Sequence, residues 1–575
     1  MYRQVLTILM VLLFYSAIAQ QEAEFPLKKL PLESWKLDGS KWQKAKNFTI
    51  FPNLNGSKKA KLESGDEILF AKDGAGLISS NVSTKDVKLR FEFALGDNSQ
   101  NVIFLQGKYG IDLSNSYSNP NFTTGGVIKA DGGKTLPYKN ACKATGLWQK
   151  MEIVFSTAQK NFPASIEKVV LNGIVIQQNY LMASPSKDSP ASDASFSISN
   201  IGGAIAIRNI EYLSFEVGNP ITLSDLSYTI QETNDWDRTF EVKDTPLVNG
   251  KSKELTSEIQ TNFKRYILTY SGKMNVSKAD KYALTIDYMG VGNLKIDGKD
   301  VVGSKEYLYR IPQTKLIELS AGEHTFEYRY QRIWWRPALG LFVSSAEIRP
   351  YALHPVSSLP DPDPVGGIYV NPLTGKAEMI RSFVMFEGKK RTHVISVGTP
   401  QKINYSFDLN QGTLLNVWRG NFANVTEMWH ERGEPQLLMS DGLTTNWDGK
   451  PPFVLDSDAS KDSLDAYKEL TFKGYKLDAQ GIPTFNYDYR GASISQKFSA
   501  SGNGLICEIN SSNANNLNYK IAEGSSIMEI EKGLYLVDDK YLNLDPKVKP
   551  IVRDNKKGKE ILLPLNATIS YTINW

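Results

Sequence analysis

Cysteine is nearly absent from this 575-residue chain: Cys142 and Cys507 are the only two. No disulfide framework can be built from them, so the folded cores must be stable without one, and two separately buried thiols are expected rather than a long-range bridge. Without a C-x-x-C-H run there is no covalently attached c-type haem. Histidine is equally scarce. His324, His354, His393 and His430 stand singly, which gives none of the i, i+4 pairing that zinc hydrolases use. Charge of either sign fails to accumulate, because 66 basic and 62 acidic residues leave a formal net charge of only +4. A nucleic-acid groove is therefore not expected.

Helical periodicity is also missing. Past the N-terminus, no apolar stripe of period 3.6 runs beyond about two turns. Period-two runs take its place: KLRFEFAL (88–95), KMEIVFS (150–156), KYALTIDYM (281–289) and HTFEYRYQ (324–331), each bounded by Gly, Asn, Asp or Pro. Such alternation is that of half-buried strands, and the Asn172-Gly173 and Asp297-Gly298 steps supply the positive φ that tight hairpins require. The expected class is all-β, several stacked sandwiches in one chain, and the length asks for three or four cores.

Residues 1–19 carry Arg3 and an apolar run ending Ala17-Ile18-Ala19. The run is short for a bilayer span and has the small-x-small ending of a secretory signal. Cleavage is expected after Ala19, with no membrane span remaining. No cysteine follows to accept a lipid, so the product is expected to be soluble and exported, periplasmic or extracellular. Proline-rich HPVSSLPDPDPVGG (354–367) suits a linker. Boundaries near 218 and 360 then divide the exported chain into residues 20–217, 218–359 and 360–575.

Read in order, WKLDG, DVKLRFEF, NVIFLQGKYGIDL, GLWQKMEIVF, VVLNGIVI and IRNIEYLSFE resemble the 3-keto-disaccharide hydrolase domain family, a concanavalin-like, laminin G-like jelly roll. That resemblance implies a glycoside as partner and a hydrolase or lyase reaction on 3-keto-glycosides. A ketone at C3 acidifies the C2 proton, a base removes it, and a donor or divalent metal stabilises the enolate. Active members carry a strand of the form Tyr-Glu-x-Gln-x-x-Asp. Here the corresponding residues are Tyr109, Gly110, Ile111, Asp112, Leu113, Ser114 and Asn115, with Gly in place of Glu. The candidate acids are accordingly Asp112 and, on a neighbouring strand, Glu92. Asp112 either lines a cleft or is an ordinary acid near a turn, and the reading favoured for Glu92 is a solvent-facing residue between Phe91 and Phe93. Tyr109, Asn115, Tyr117 and Tyr138 are candidate sugar contacts. No dedicated metal-ligand set is assigned.

Residues 262–347 resemble the protective-antigen-type β-sandwich often fused to glycosidases, but Asp287-Tyr288-Met289-Gly290 offers one acid where calcium-binding versions present two. In RIWWRP (332–337), Trp334 and Trp335 must point to opposite faces of a strand. Trp335 is the candidate sugar contact, and shielding by a neighbouring arginine is the alternative. The third segment gathers Asp408, Trp418, Arg419, Glu427, Trp429, His430, Glu431 and Arg432. Arg forks beside Trp planes suit a sugar or a carboxylate, and a hydrogen-bonded brace for a loop is the alternative; Trp418, Arg419 and His430 join the candidates. The sequence thus points to an exported protein that binds, and in one reading cleaves, glycosides. A non-catalytic structural or adhesive surface protein is the other reading.

Overall fold

A computed structural model describes residues 25–575 except 51–59, 120, 130–131, 159–162, 183–193, 217, 235–239, 241–246, 310, 334–335, 361–365, 431–435, 456–468, 557 and 567. The proposed signal and the Trp334-Trp335 pair, with its candidate Trp335, lie outside the described residues. Strands dominate throughout, as the alternation requires, and the described helices are single turns such as Thr426–Trp429. Among the described residues no helix is long and apolar enough to cross a membrane.

Residues 29–212 form a two-sheet sandwich. One sheet runs Ile174–Leu181, Ser165–Leu171, Gln149–Ser156, Asp86–Leu95, Ile205–Phe215, Ala60–Ala71, Gln43–Ile50; the other runs Trp35–Lys36, Gly76–Thr84, Ala194–Gly202, Gln100–Leu105, Tyr109–Asp112. Alternate residues meet between the sheets: Leu89, Phe91 and Phe93 from the first, Ile103, Leu105, Tyr109, Ile111 and Ile198 from the second. At roughly 1.5–3 kcal/mol for each large side chain buried, this layer is the principal source of stability. Cys142 belongs to it, and neither cysteine is disulfide-bonded.

Residues 366–575 form three sheets around one core. Phe407 stacks on Phe485 at 4.3 Å, and the C-terminal Trp575 is 1% exposed, donating from its indole to the carbonyl of Leu443 at 2.9 Å. This body and the first sandwich make one compact unit. Tyr541 donates to the carbonyl of Thr145 at 3.0 Å, Lys143 pairs with Asp539 at 3.0 Å, and Ala144, Leu147, Leu534 and Tyr541 share a buried cluster.

Residues 213–365 form the second compact unit, together with residues 25–28 of the N-terminal segment. Its sheet is centred on the long strand Asp280–Ile296, which pairs with Gly322–Arg332 over residues 291–296 and with Leu339–Ser345 over residues 282–288. The proline-rich stretch begins docked: Ser358 is fully buried, bonded to Ser257 and to the carbonyl of Leu339, and Leu359 packs on Met289 and Val291. Along the chain, the second unit is an insertion between residues 212 and 366 of the first.

Candidate functional site

The Tyr109–Asp112 strand sends Tyr109, Ile111 and, just beyond it, Leu113 into the core. Alternation then turns Gly110, Asp112 and Ser114 to the opposite, outer face of the five-stranded sheet. Register places Lys36, Ser79, Ser197, Phe104 and Gly110 in one cross-strand row and Leu77, Ser199, Val102 and Asp112 in the next. Ser79 and Ser197 share a hydrogen bond at 3.0 Å. The result is a face of serine hydroxyls flanked by exposed Leu77 and half-buried Phe104.

Asp112 ends its row fully buried. Its Oδ2 is ion-paired with Lys134, its Oδ1 accepts from the Ser114 amide at 2.5 Å, and its own backbone bonds to Gly125 and Gly126. The carboxylate is thus spoken for under a covering loop. Position 110, where the resembled pattern has Glu, is closed as well: a Cβ there would lie 2.8 Å from Ile128 Cγ1 and 2.9 Å from Val102 Cγ1. Ile128 fills the space a second acid would need.

Glu92 lies elsewhere. Phe91 and Phe93 point into the core, so Glu92 projects from the outer face of the other sheet, where it accepts from Arg208 Nε at 2.8 Å and Asn209 at 3.2 Å. The sandwich core stands between Glu92 and Asp112. The expectation that Glu92 sits on a strand neighbouring that of Asp112 is corrected: the two strands belong to different sheets, and each acid points outward from its own. A divalent metal fits no better, because the single acid at the position is already neutralised by Lys134. Among the described residues no group of three or more His, Cys, Asp and Glu is placed to hold a metal.

The aromatic and amide candidates are mostly structural. Tyr109 packs on Phe155 at 5.1 Å in the core, and burial raises its hydroxyl pKa. Asn115 is spent on a turn, donating to the carbonyl of Gly96 and to Thr145 Oγ1, both at 2.9 Å, and accepting from the Tyr117 amide at 3.0 Å. Tyr117 reaches the C-terminal body, donating to Asn574 at 3.2 Å and to the Asn503 carbonyl at 3.3 Å; burial pushes its hydroxyl up to about 12 against the opposing charge of Arg419. Tyr138 is exposed, with its hydroxyl on the Gln178 carbonyl at 3.2 Å.

The sequence signposts have local causes. Gly146 adopts φ +85°, and a Cβ there would sit 2.7 Å from Tyr541 Oη and 2.9 Å from the Ile50 carbonyl. Trp148 packs edge-on to Phe48 beneath the Arg208 guanidinium at 3.8 Å. Asn172 and Gly173 make the left-handed turn of a hairpin, with φ of 51° and 82°.

Residues 29–212 match the family described as 3-keto-alpha-glucoside-1,2-lyase-like domain. The match spans about a third of the chain, the two-sheet sandwich, hereafter the lyase-like domain. No curated protein is significantly similar to the sequence. Among solved structures, a protein provisionally assigned as a glycosyl hydrolase from Parabacteroides distasonis is 16% identical over 33% of this chain and 100% of its own, with a TM-score of 0.24. A GH31 alpha-xylosidase from Xanthomonas citri is 13% identical over 52% of this chain and 35% of its own, TM-score 0.19. A beta-glucosidase from Kluyveromyces marxianus is 11% identical over 21% and 14%, TM-score 0.17.

Outside the lyase-like domain, the fold disperses the Arg-Trp cluster that the sequence gathers in residues 408–432. Trp418 is fully buried, its ring stacked with Phe422 and its indole donating to the carbonyls of Asn421 and Phe422 at 3.0 and 2.8 Å, so it is a core residue and no sugar platform. Arg419, 6% exposed, donates to the carbonyls of Tyr117 and Cys142 and joins the C-terminal body to the lyase-like domain. It too is withdrawn from any ligand. Burial lowers its pKa. His430 ends the Thr426–Trp429 turn, exposed. Glu431 and Arg432 lie outside the described residues.

Two cavities open in the C-terminal body. One, of about 260 Å³, is lined by Glu387, Trp447, Asp448, Glu523, Asp538 and Lys540 among others. Three of its acids are engaged: Lys520, 5% exposed at the side chain, bridges Asp448 and Glu523, and Asp538 caps the amides of Ser525 and Ser526. Burial opposes the charge of Lys520, yet Asp448 and Glu523 hold its pKa above the usual lysine value. The other cavity, of about 370 Å³, is lined by Arg381, Ser382, Phe383, Thr392, Met428, Trp429 and Gln436. Reading the sequence missed Arg381, Ser382 and Thr392, because only the folded sheet brings them beside Trp429.

Proposed function

We propose that this chain is an exported carbohydrate-binding protein whose lyase-like domain holds a glycoside without cleaving it. Position 110 carries the reading. Ile128 packs over Gly110 where a second acid is required, and the acid that remains, Asp112, is buried against Lys134. Cleavage of a glycosidic bond by the usual route needs two carboxyl groups on one bond, and proton abstraction needs a base free to accept. What remains on the outer face is a surface that can hold sugar: serine hydroxyls to exchange hydrogen bonds with hydroxyls, and Leu77 and Phe104 for the C–H faces of the ring.

Export is supported by the apolar run of residues 1–19 and its Ala-x-Ala ending. The inserted unit, whose sequence resembles the protective-antigen-type sandwich, serves in this reading as a spacer or an accessory sugar contact.

The test exposes the purified full chain to 3-keto-glucosides with and without divalent cations, following released sugar by NMR, alongside an immobilised glycan array. Binding without release of sugar is expected. Turnover that disappears in Asp112→Asn overturns the non-catalytic reading, and failure to bind any glycan overturns the carbohydrate reading in favour of a structural or adhesive role.

A further inference from the structure

The cavity around Trp429 is a built pocket, and its construction begins with a break in strand pairing. The strands Glu378–Phe386 and Lys389–Gly398 lose register between Ser382 and Val384, so that Thr392 and His393 oppose Phe383 alone. A bulge of this kind interrupts alternation and re-aims side chains. The extra residue belongs to the Lys389–Gly398 strand and sets Thr392 at the bulge; Arg381, Ser382, Phe383 and Thr392 line one cavity.

The opposite wall is the Thr426–Trp429 turn, which is fixed from several directions. Thr426 bonds to Asn424 Oδ1 through its amide at 3.0 Å and its hydroxyl at 2.6 Å, and that hydroxyl also accepts from the Ile368 amide at 2.9 Å. Gln436 donates its amide to the Glu427 carbonyl at 3.2 Å, and Phe383 donates to the Gln436 carbonyl at 3.3 Å, which ties turn and bulged strand together. Met428 packs on the buried cluster of Trp418, Phe422 and Leu438. Trp429 follows on this anchored backbone and is nevertheless 68% exposed.

An exposed indole beside a cavity offers a flat apolar face on which a ring can stack. A second, independent sign is Ser382. The residue is 5% exposed, its Oγ is buried, and it has no hydrogen-bond partner. Buried hydroxyls are ordinarily satisfied, and among the described residues this one is left open to a partner such as water or a ligand hydroxyl.

We propose that this pocket is a saccharide subsite separate from the lyase-like domain, taking one hexopyranose ring. The C–H face of the ring lies on the indole of Trp429. Its hydroxyls bond to the Arg381 guanidinium, the Thr392 hydroxyl and the Gln436 amide, and one of them partners Ser382. A volume of about 370 Å³ is near the lower limit for small-molecule sites, which suits a single ring and excludes a long glycan from full enclosure. The proposal rests on the carbohydrate-binding reading for the class of ligand only; the site is carried by its own geometry.

The test uses the full chain labelled with 5-fluorotryptophan, the Trp429 resonance being assigned by its loss in Trp429→Phe. Methyl glucoside, methyl galactoside, N-acetylglucosamine and glucuronate are titrated singly. At least one pyranose is expected to shift that resonance, with affinity falling about tenfold in Trp429→Ala and severalfold in Arg381→Ala. The shift should persist in Leu77→Arg, which places a charge on the sheet face of the lyase-like domain. Binding that leaves the Trp429 resonance unmoved and is lost in Leu77→Arg overturns the subsite while sparing the proposed function. Absence of binding by every pyranose overturns the subsite, while the glycan array and 3-keto-glucosides decide the proposed function separately. Unchanged circular dichroism in Trp429→Ala separates lost contact from lost fold.

Discussion

The Arg419 guanidinium lies 4.4 Å from the ring centroid of Tyr117 and donates at 3.3 Å to that residue's own carbonyl. A second donation, to Cys142, spans 277 residues of sequence. Replacing Arg419 by Ala leaves these carbonyls unpartnered and removes a packed, delocalised charge. A loss of about 2–4 kcal/mol is expected. Because the residue ties the lyase-like domain to the C-terminal body, urea unfolding followed by probes in each should move to lower denaturant together. A shift in only one of them contradicts the joint.

Gly110→Glu restores the acid of the active pattern but not the activity. The new side chain must displace Ile128 and Val102, at a cost of about 1–3 kcal/mol, visible as a lower melting temperature with no release of sugar from 3-keto-glucosides. Pairing it with Ile128→Gly should recover part of the stability.

Asp112 and Lys134 are asymmetric partners: the carboxylate is fully buried, whereas the lysine side chain is 37% exposed. In Asp112→Asn the freed ammonium can turn to water, and the amide oxygen can still accept from Ser114, so the cost is about 1–2 kcal/mol. Lys134→Ala strands a buried charge and should cost more, about 3–5 kcal/mol. Equal losses on urea titration would refute this assignment.

In the inserted unit, His324 Nδ1 meets Asp297 Oδ2 at 2.7 Å. The hydrogen bond to Asp297 raises the histidine's pKa, and the same contact lowers the aspartate's. The histidine's contribution is complete below its ordinary 6.5 and fades as pH rises through its raised value; the aspartate's is complete above its ordinary 3.8 and fades as pH falls. Stability of this unit should therefore be greatest between those limits. With Asp297 half exposed the amplitude is below about 1 kcal/mol. His324→Gln should flatten the upper limb in thermal melts from about pH 5 to about 8.

Lys520→Met leaves Asp448 and Glu523 facing each other without their shared cation. A loss of about 3–5 kcal/mol is expected. In the parent protein the lysine's own contribution is lost only as pH rises above its ordinary 10.5 and through the raised value, so thermal melts near neutrality should not respond to it.

Alternation made the strands legible. The run KLRFEFAL states in eight letters that Leu89, Phe91 and Phe93 go inward and Arg90 and Glu92 outward, and the Asp86–Leu95 strand obeys it. The same parity argument, applied to Asp112 as well, separates the two acids, but only once each strand is assigned to its sheet. That assignment depends on long-range pairing, which a local pattern does not carry. The fate of Asp112 was hidden for a like reason, since Ile128 and Lys134 arrive from a later hairpin. Trp418 and Trp429 read alike in sequence. Burial distinguishes them, and burial is decided by Leu438, Ile380 and Val370 from elsewhere in the chain.

Residues 213–365 depart from one body and return to it, while the cores of that body draw no residue from the detour. Shortening 213–365 to a brief flexible connector should leave the remaining protein folded, since its hydrophobic interior is assembled from residues outside that span.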